Sequence, residues 1–344
     1  MSNDTAPRQP QDVRAVSTGQ LPPEATVQAL LDDSYRRFRS VERGSLSTVY
    51  PALARADPNR FGLTIVGVDG HVFSSGDSTT EFTLMSCAKP FVFALACRAH
   101  GVDQVCDQVG VNATGLPFNS IAAVERDARG LTNPMVNSGA LATTGLLANG
   151  DANSDWARIL DGLSSFAGRQ LHLDSQTYQS ASGSNERNQA IALVLAARGA
   201  LRSAPSRVTD LYTRQSCVQV TTQDLATMGA TLADGGVNPV TGEQVIEPDV
   251  ARATLAVMTI AGLYETSGDW LLRVGLPAKS GISGALVTVS PGKGGLATYS
   301  PPLDETGNSV RGQLAAADLA RHLGLDILAS AARERDPDRG HPIT

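Results

Sequence analysis

The amino-acid sequence predicts an α+β protein in which one antiparallel sheet is assembled from both ends of the chain around a block of helices. Short apolar runs typical of β-strands lie near the two ends, between residues 63 and 74 and between residues 285 and 299. The long stretch between them carries the spacing of apolar side chains that is typical of helices. Strands that are segregated from helices in this way indicate the α+β class.

Composition and charge restrict the kind of protein further. The chain has 344 residues, of which 42% are hydrophobic and 18% are charged, as in an ordinary globular protein. This length allows one large domain or two medium ones. The net charge of -6 argues against a nucleic-acid partner, because proteins that bind nucleic acids usually present a basic face.

The two ends of the chain differ from the rest. Residues 1–20 are polar and lack the apolar segment of a signal peptide, so we expect a disordered leader. The stretch 331–344 is charged, contains proline and is expected to be a loose tail. No apolar run approaches the roughly 18 residues that a membrane span needs. We therefore expect a cytoplasmic protein with no membrane partner.

Four cysteines are present: Cys87, Cys97, Cys106 and Cys217. None of them forms a C-x-x-C pair, and no spacing of cysteine and histidine is typical of a zinc site. The sequence therefore predicts reduced thiols. Cys87 is also considered as a rival nucleophile, because it directly follows a serine with catalytic features that are described below.

The first elements are predicted to be a helix and a β-hairpin. Apolar residues at helical spacing indicate an amphipathic helix at 24–41. Two strand-like runs follow at 63–68 and 72–74. The Asp69-Gly70 pair between these runs is a strong hairpin signal.

The segment 86–99 is predicted to be a buried helix. It is apolar on most sides, which is typical of a helix surrounded by protein, and Gly101 follows it as a C-cap. Pro90 fits the first turn of a helix but not its interior. Lys89 precedes this proline and is therefore biased away from helical geometry, so we expect the helix to open with an irregular turn.

The middle of the chain is predicted to be helical, and strands return late. Thr221 and Asp224 resemble a capping box at the start of one of these helices. Helical patterns cover residues 135–147, 154–166, 185–197, 221–235 and 248–260. They are followed by strand patterns at 285–289 and 296–299 and by a last helix at 313–323.

Ser86 and Lys89 form an S-x-x-K pair at the start of the buried helix. Residues three apart share a face of a helical turn, so the serine hydroxyl is predicted to lie beside the lysine amine. A serine becomes a good nucleophile when a base takes its proton, and a buried lysine with a lowered pKa can be that base. Chance matches to S-x-x-K are frequent, and the alternative interpretation is a surface serine and lysine.

A second signature lies far downstream. Lys279-Ser280-Gly281 resembles the K-T-G strand motif that accompanies S-x-x-K in β-lactamases and penicillin-binding proteins. Lys279 offers a second cation near the serine, and Gly281 lets a substrate approach the strand backbone. Together the two motifs favour a catalytic interpretation over chance.

With further motifs the resemblance becomes specific. Over roughly residues 25–325 the sequence resembles the serine-dependent glutaminase family. The matching stretches are MSCAKP at 85–90, TNPMVNSGAL at 132–141, ERN at 186–188, DLY at 210–212, TLADGGVNPVTGE at 231–243, GLPAKSG at 275–281 and SPPLDETGNSVRG at 300–312. The resemblance implies a β-lactamase-like fold, with an antiparallel sheet flanked by helices plus a helical domain. It also implies a serine amidohydrolase that converts L-glutamine to L-glutamate and ammonia.

The resemblance also implies roles for individual residues. Ser86 would be the nucleophile that forms an acyl-enzyme, Lys89 its base, and Tyr264 the proton relay to the leaving ammonia. The backbone N–H groups of Ser86 and Ile282 would form the oxyanion hole, in which fixed donors stabilise the developing negative charge.

Five further residues are implied to contact the substrate: Tyr50, Asn137, Asn188, Tyr212 and Lys279. Structural alternatives stay open for most of them. Asn137 could satisfy backbone groups in a buried helix, Asn188 could lie on the surface, and the two tyrosines could be residues at the edge of the core.

The resemblance implies a small-molecule amide substrate, no metal, no organic cofactor, and a homodimer or homotetramer. It divides residues 21–330, a single catalytic unit, into two parts. A sheet domain is predicted from 21–85 and 265–330, and a helical domain from 86–264, with the site in the cleft between them.

The sequence departs from the family pattern at Ala181, where the family carries a glutamate that pairs with the substrate α-ammonium. Glu186 is the nearest acid, but it would need a shifted loop to replace that glutamate. Ser283 stands where the family usually has a glycine, which changes either strand packing or the pocket wall.

Three interpretations therefore compete. The protein is a glutaminase in which another group compensates for Ala181, or an amidase or acyl transferase for a modified glutamine-like amide that lacks or masks the α-amine. The third interpretation is a non-catalytic relative that binds a ligand or partner. The presence of both Ser86 and Lys89 argues against the third, because a binding protein needs no base.

Overall fold

The structure is a computed structural model that describes residues 19–331. The predicted leader and tail lie outside the described residues except at their inner ends. The strands of the described part are β1 (Gly62–Gly67), β2 (Val72–Gly76), β3 (Phe82–Thr83), β4 (His172–Leu173), β5 (Val218–Val220), β6 (Ala278–Ser280), β7 (Ala285–Ser290) and β8 (Gly294–Tyr299).

The helices lie before, between and after these strands along the chain, mostly in the stretch between β3 and β6. They are α1 (Glu24–Phe38), α2 (Lys89–His100), α3 (Val102–Val109), α4 (Ile121–Glu125), α5 (Asn137–Leu147), α6 (Ala152–Ala167), α7 (Ser175–Ser182), α8 (Glu186–Ala197), α9 (Pro205–Ser216), α10 (Thr222–Ala233), α11 (Pro248–Ala261), α12 (Ser267–Val274) and α13 (Val310–His322). Short 3₁₀ turns are formed by Leu53–Arg55, Met85–Ala88 and Tyr264–Thr266.

The main sheet joins the two ends of the chain, as predicted. Its five strands are antiparallel in the order β2-β1-β8-β7-β6. Ile65 of β1 pairs with Phe73 of β2 on one side and with Leu296 of β8 on the other. The early hairpin and the late strands therefore form one continuous ladder.

Both faces of this sheet are covered by helices. The side chains of Leu63 and Ile65 belong to an apolar cluster that includes Leu31 of α1 and Leu319 of α13. The opposite face is covered by α10. A Cβ at Gly295 of β8 would collide with backbone atoms of α10, so this close approach of helix to sheet requires glycine there.

The helices predicted from sequence are confirmed, with corrections at several ends. The helix expected at 24–41 ends at Phe38, and the one expected from residue 135 begins at Asn137. The helix expected from residue 154 begins at Ala152, because Asp151 is its N-cap and Ser154 is the third residue of the capping box. The last helix begins at Val310 instead of residue 313, because Ser309 accepts a hydrogen bond from the backbone N–H of Gly312 and caps it. The capping box of Thr221 and Asp224 is present as predicted.

A second, three-stranded sheet in the order β3-β5-β4 was not predicted. Its strands have only two or three residues, which is too short for the alternation of apolar and polar side chains to be recognised. Helices α3, α4, α7, α9 and α12 were also missed, because they are short or mostly polar. The two-domain division stays a prediction; α10, from the predicted helical domain, packs on the sheet.

The buried helix α2 opens as a 3₁₀ turn, Met85–Ala88, which confirms the irregular start. The expectation for Lys89 itself is wrong, because its φ of -55° and ψ of -50° are helical. Pro90 lies in the first turn, where backbone N–H groups have no acceptor within the helix, so the missing N–H of proline costs no hydrogen bond. Every residue of α2 up to Cys97 is buried, and this packing outweighs the small steric bias imposed by the proline.

Within residues 19–331 no helix is both long and apolar enough to cross a membrane.

Candidate active site

A cavity opens where the Ser86 turn meets α5, α8 and α9. Six of the residues predicted to form the site contribute to its wall: Tyr50, Ser86, Asn137, Asn188, Tyr212 and Ile282. They come from distant parts of the sequence, and the fold brings them together. The predicted residues Lys89, Tyr264, Lys279 and Ala181 lie behind this wall, where they are buried.

Strained backbone flanks Ser86. Met85 and Tyr264 have φ of 47° and 55°, and they are the only non-glycine residues with positive φ in the described part of the chain. Such a conformation costs on the order of 1–3 kcal/mol and persists where the surrounding structure enforces it. Met85 precedes Ser86 directly, and the Tyr264 side chain forms a hydrogen bond with Ser86. The strain is therefore concentrated at the predicted nucleophile.

Lys89 is buried one helical turn after Ser86. Its Nζ donates hydrogen bonds to Asn137 Oδ1 at 2.7 Å and to the carbonyl oxygen of Met135 at 3.4 Å. Burial lowers the pKa of Lys89 well below its usual value, and the nearby positive charge of Lys279 lowers it further. The amine is thus held in surroundings that favour its neutral form.

A chain of side-chain hydrogen bonds starts at Lys89. Asn137 Nδ2 donates to Asn188 Oδ1 at 2.9 Å, and Asn188 Nδ2 donates to Asn185 Oδ1 at 2.7 Å. Asn185 Nδ2 in turn donates to Thr213 Oγ1 at 2.6 Å. Each amide accepts from the neighbour nearer to Lys89 and donates to the next, so the chain fixes the orientation of all three amides.

The three tyrosines near the cavity are held in their protonated form. Burial raises the pKa of Tyr50 to about 12 and raises the pKa of Tyr212 well above its usual value. Burial also raises the pKa of Tyr264, and its hydrogen bond with Ser86 acts in the opposite direction. Tyr212 Oη donates to Asn137 Oδ1 at 3.3 Å, and Tyr264 Oη donates to the carbonyl oxygen of Ser280 at 3.3 Å.

Lys279 lies behind Tyr264 and is not part of the cavity wall. Its Nζ donates to the carbonyl oxygens of Gly262 and Ser280, both at 2.8 Å, and lies 4.2 Å from the centre of the Tyr264 ring. Burial lowers its pKa to about 7. The structure therefore places Lys279 beneath the tyrosine, and the prediction that it contacts substrate gains no support from this position.

The turn after β6 brings Ile282 next to Ser86. Gly284 N donates to the carbonyl oxygen of Gly281 at 2.9 Å, which closes the turn around Ile282. A Cβ at Gly281 would lie 2.8 Å from the carbonyl oxygen of Leu84, so glycine permits the close approach to the Ser86 turn. Ser86 and Ile282 both face the cavity, as the predicted oxyanion hole requires.

Cys87 is not accessible as a rival nucleophile. It is fully buried, and its Sγ donates to the carbonyl oxygens of Lys279 at 3.3 Å and Ala285 at 3.7 Å. Burial raises its pKa to about 12, so the reactive thiolate is strongly disfavoured.

Ala181 of α7 is buried in a small apolar cluster with Leu53, Met85 and Cys217. Glu186, the acid considered as its replacement, is exposed in the first turn of α8 and is not part of the cavity wall. Ser283 is also buried behind the wall.

Arg187 was missed by the residue-by-residue assignment, although it is the central residue of the ERN motif at 186–188. Its side chain contributes to the cavity wall, and its Nε donates to the carbonyl oxygen of Asn119 at 2.8 Å. Its position between Glu186 and the predicted site residue Asn188 was the one feature of the sequence that could have indicated a place in the site.

The fold and cavity define an enzyme of the β-lactamase-like class, with a hydroxyl and an amine at the start of a buried helix. The model of the Glutaminase family matches residues 44–328. The chain therefore belongs to the glutaminase family, whose members are amidohydrolases, and the resemblance and fold class predicted from sequence are confirmed.

Relatives and solved structures agree with this assignment. "Glutaminase 2" of Yersinia pestis is 54% identical over 315 residues, which cover 92% of this chain and 93% of that protein. "Glutaminase 1" of Escherichia coli (strain K12) is 42% identical over 301 residues, which cover 88% and 97%.

Among solved structures, a probable glutaminase, ybaS, has a TM-score of 0.88 at 41% identity, with 90% of this chain and 100% of that chain covered. A probable glutaminase from Bacillus subtilis, complexed with 6-diazo-5-oxo-L-norleucine, has a TM-score of 0.80 at 28% identity, with coverage of 89% and 98%.

Proposed function

We propose that this protein hydrolyses L-glutamine to L-glutamate and ammonia through an acyl-enzyme on Ser86. The observation that carries the proposal is the pair of Ser86 and Lys89 in a chain of the glutaminase family. Ser86 faces the cavity, and Lys89 is buried one helical turn later. A binding protein would have no use for a buried amine in this position.

The hydrogen bonds of Lys89 support its role as the base. A neutral amine has two N–H groups, and Asn137 Oδ1 and the carbonyl oxygen of Met135 accept both of them. The lone pair of Nζ then remains available for the Ser86 proton. The buried surroundings lower the pKa of Lys89 well below its usual value, which favours the neutral amine.

The reaction then has two steps. Ser86 Oγ attacks the amide carbon while its proton passes to Lys89, and the backbone N–H groups of Ser86 and Ile282 stabilise the oxyanion. Tyr264, hydrogen-bonded to Ser86, relays a proton to the leaving nitrogen, which departs as ammonia. Water attacks the resulting ester, and glutamate is released as the proton returns to Ser86.

Asn137, Asn188, Tyr212 and Tyr50 are the polar residues of the wall that we assign to substrate binding. By family resemblance we also propose a cytoplasmic homodimer or homotetramer. An amidase or acyl transferase for modified amides, and a non-catalytic binding protein, are the alternatives that the experiment has to exclude.

The test is ammonia release from L-glutamine by the full chain, with Ser86→Ala as the blank and Cys87→Ala as the matched control. Activity that is lost in Ser86→Ala and kept in Cys87→Ala supports the proposal. A folded wild-type protein that releases no ammonia, or a Ser86→Ala variant that is as active as wild type, contradicts it.

A further inference from the structure

The motif at 300–312 takes no part in the catalytic steps, although a turn within it lies beside the site. Residues 304–308 form this turn, which we call the 304–308 turn. Asp304 N donates to the carbonyl oxygen of Asn308 at 2.8 Å, and Asp304 Oδ1 accepts the backbone N–H groups of Thr306 and Asn308, both at 3.0 Å. Short polar side chains commonly stabilise turns in this way. The turn therefore gives the side chain of Asn308 a fixed support.

The 304–308 turn packs on two residues of the proposed catalytic machinery. A Cβ at Gly307 would lie 3.8 Å from Ile282 Cγ2 and 3.9 Å from Tyr264 Cε2, so the backbone of Gly307 faces both side chains. The φ of Gly307 is 91°, in the left-handed region that favours glycine. The turn therefore borders the proposed oxyanion hole and the proposed proton relay, although none of its residues is part of the cavity wall.

Asn308 joins β6 to the 3₁₀ turn that contains Tyr264. It is completely buried, and its Oδ1 accepts a hydrogen bond from Ser280 Oγ of β6 at 2.5 Å. Its Nδ2 donates to Thr266 Oγ1 of the 3₁₀ turn at 3.1 Å and to Thr306 Oγ1 at 2.9 Å. The amide oxygen and both amide hydrogens are therefore used, as a buried amide requires.

Two of the partners of Asn308 hold Tyr264 at its backbone and at its phenol. Thr266 Oγ1 donates to the carbonyl oxygen of Leu263, directly before Tyr264, at 2.8 Å. Ser280 provides the carbonyl oxygen to which Tyr264 Oη donates at 3.3 Å. The positive φ of Tyr264, 55°, persists only where the surrounding structure enforces it. Asn308 connects this strained segment to the strand that the phenol contacts.

We propose that Asn308 is a positioning residue for the proton relay. It holds the Tyr264 turn against β6 and so keeps the phenol within hydrogen-bonding reach of Ser86. It acts through Thr266 and Ser280 and does not contact the substrate, because it is buried and is not part of the cavity wall. The inference rests on the proposed function, in which Tyr264 protonates the leaving nitrogen, and it assigns a role in that step to the motif that contains Asn308.

The test is a double-mutant cycle on kcat for ammonia release from L-glutamine, with Asn308→Ala, Tyr264→Phe and the double variant. Asn308→Ala is expected to lower kcat by about 10–100-fold and to leave KM within about twofold. A small displacement of a group that acts in the transition state slows the chemistry more than it weakens binding. In the Tyr264→Phe background the same substitution should cost less than about twofold, since the phenol that Asn308 positions is already absent.

Two further variants separate positioning from stability. Asn238 is as buried as Asn308, and its Nδ2 donates to the carbonyl oxygens of Ser165 and Phe166. It is not part of the cavity wall, so Asn238→Ala is the matched control and should keep the wild-type kcat per folded molecule. Thr266→Val removes only the hydroxyl that Asn308 contacts. It takes the place of Asn308→Ala in the cycle if that variant does not fold, and its kcat should fall by about tenfold.

The outcomes for the two proposals are distinguishable. A wild-type kcat in Asn308→Ala, or an equal loss with and without the Tyr264 phenol, overturns the inference and leaves glutamine hydrolysis intact. If folded wild type releases no ammonia, the proposed function fails, and hydrogen exchange then decides whether Asn308 holds the Tyr264 turn. Amide exchange in residues 262–267 about tenfold faster in Asn308→Ala, or in Thr266→Val in its place, and unchanged in Asn238→Ala supports the inference. Exchange at the wild-type rate overturns it.

Discussion

Asn137 Oδ1 lies 2.7 Å from Lys89 Nζ and accepts its hydrogen bond, while the amide nitrogen of the same side chain donates to Asn188. One asparagine therefore orients the amine at the predicted base and connects it to α8. Replacement of that neutral oxygen by a charged one tests whether Lys89 must lose its proton to act.

Asn137→Asp is expected to shift the pH dependence of activity to higher pH. A carboxylate beside Lys89 favours the ammonium form and raises its pKa, and the raised pKa opposes the effect of burial. We expect the acidic limb of the kcat/KM profile to move up by at least about one pH unit, with about tenfold less activity per unit below the new limb. Asn185→Asp, two amides further along the chain of hydrogen bonds, should move the limb less. Unshifted limbs in both variants would mean that the limb does not report Lys89.

Lys279→Met is expected to change how stability depends on pH. The folded protein holds the pKa of Lys279 at about 7, whereas an unfolded lysine keeps its proton to about 10.4. Between these values the unfolded chain binds more protons, so the free energy of unfolding of the wild type rises with pH from about 7 towards 10. The variant lacks this contribution, and its urea-unfolding free energies at pH 7, 8 and 9 should rise less. Parallel curves for the two proteins would show that Lys279 stays protonated in the folded state.

Tyr264→Phe is expected to slow the chemical step. The phenol is the group that we assign to protonating ammonia, and loss of a positioned proton donor usually costs about 10²–10⁴-fold in rate. We expect kcat to fall within that range while KM changes little, since Tyr264 is behind the wall of the cavity. Burst kinetics should show slower acylation. Tyr178→Phe, which removes the phenol that donates to Asp210, serves as the control. Equal rates for Tyr264→Phe and wild type would remove Tyr264 from the mechanism.

Asp155→Asn is expected to destabilise the protein without changing the chemistry. The Asp155 side chain is completely buried and pairs with Arg158 at 2.5 Å and with Arg207. The variant loses the charge-assisted hydrogen bonds from Arg158 and Arg207, whose side chains are partly exposed, and this loss costs about 2 kcal/mol of unfolding free energy. Activity per folded molecule should stay at the wild-type value. Asp33→Asn, which breaks the exposed pair with Arg36, should have little effect on the midpoint of urea unfolding. Equal midpoints for Asp155→Asn and wild type would contradict the prediction.

Local signals in the sequence predicted much of the fold. The Asp69-Gly70 hairpin and the Thr221–Asp224 capping box depend on interactions within a few residues, and both appear in the structure as predicted. The strands of the small sheet were missed, because β3 and β4 have two residues each and are defined by their partner β5. Local sequence contains no information about such a partner.

The site was predictable in part for a similar reason. The family motifs and the roles they imply identified Ser86 and five other residues of the cavity wall. The arrangement of Asn137, Asn188 and Asn185 in one chain of hydrogen bonds depends on how α5, α8 and α9 pack. The burial of Lys279 beneath Tyr264 likewise depends on the turn that holds Tyr264 at positive φ. Interactions between residues distant in sequence, and the pKa values that they set, follow only from the tertiary structure.

The pairing of β1 with β8 has a consequence for synthesis on the ribosome. The hairpin of β1 and β2 is synthesised early. The free edge of β1 is covered only when β8 has been made and Leu296 pairs with Ile65. Helices α2, α5, α8 and α9 contact one another and are synthesised before β8, whereas the sheet closes only when nearly all of the chain has been made. Until then the hairpin presents an open, apolar edge that other chains could pair with, so chaperone dependence and aggregation on overexpression should both originate at β1.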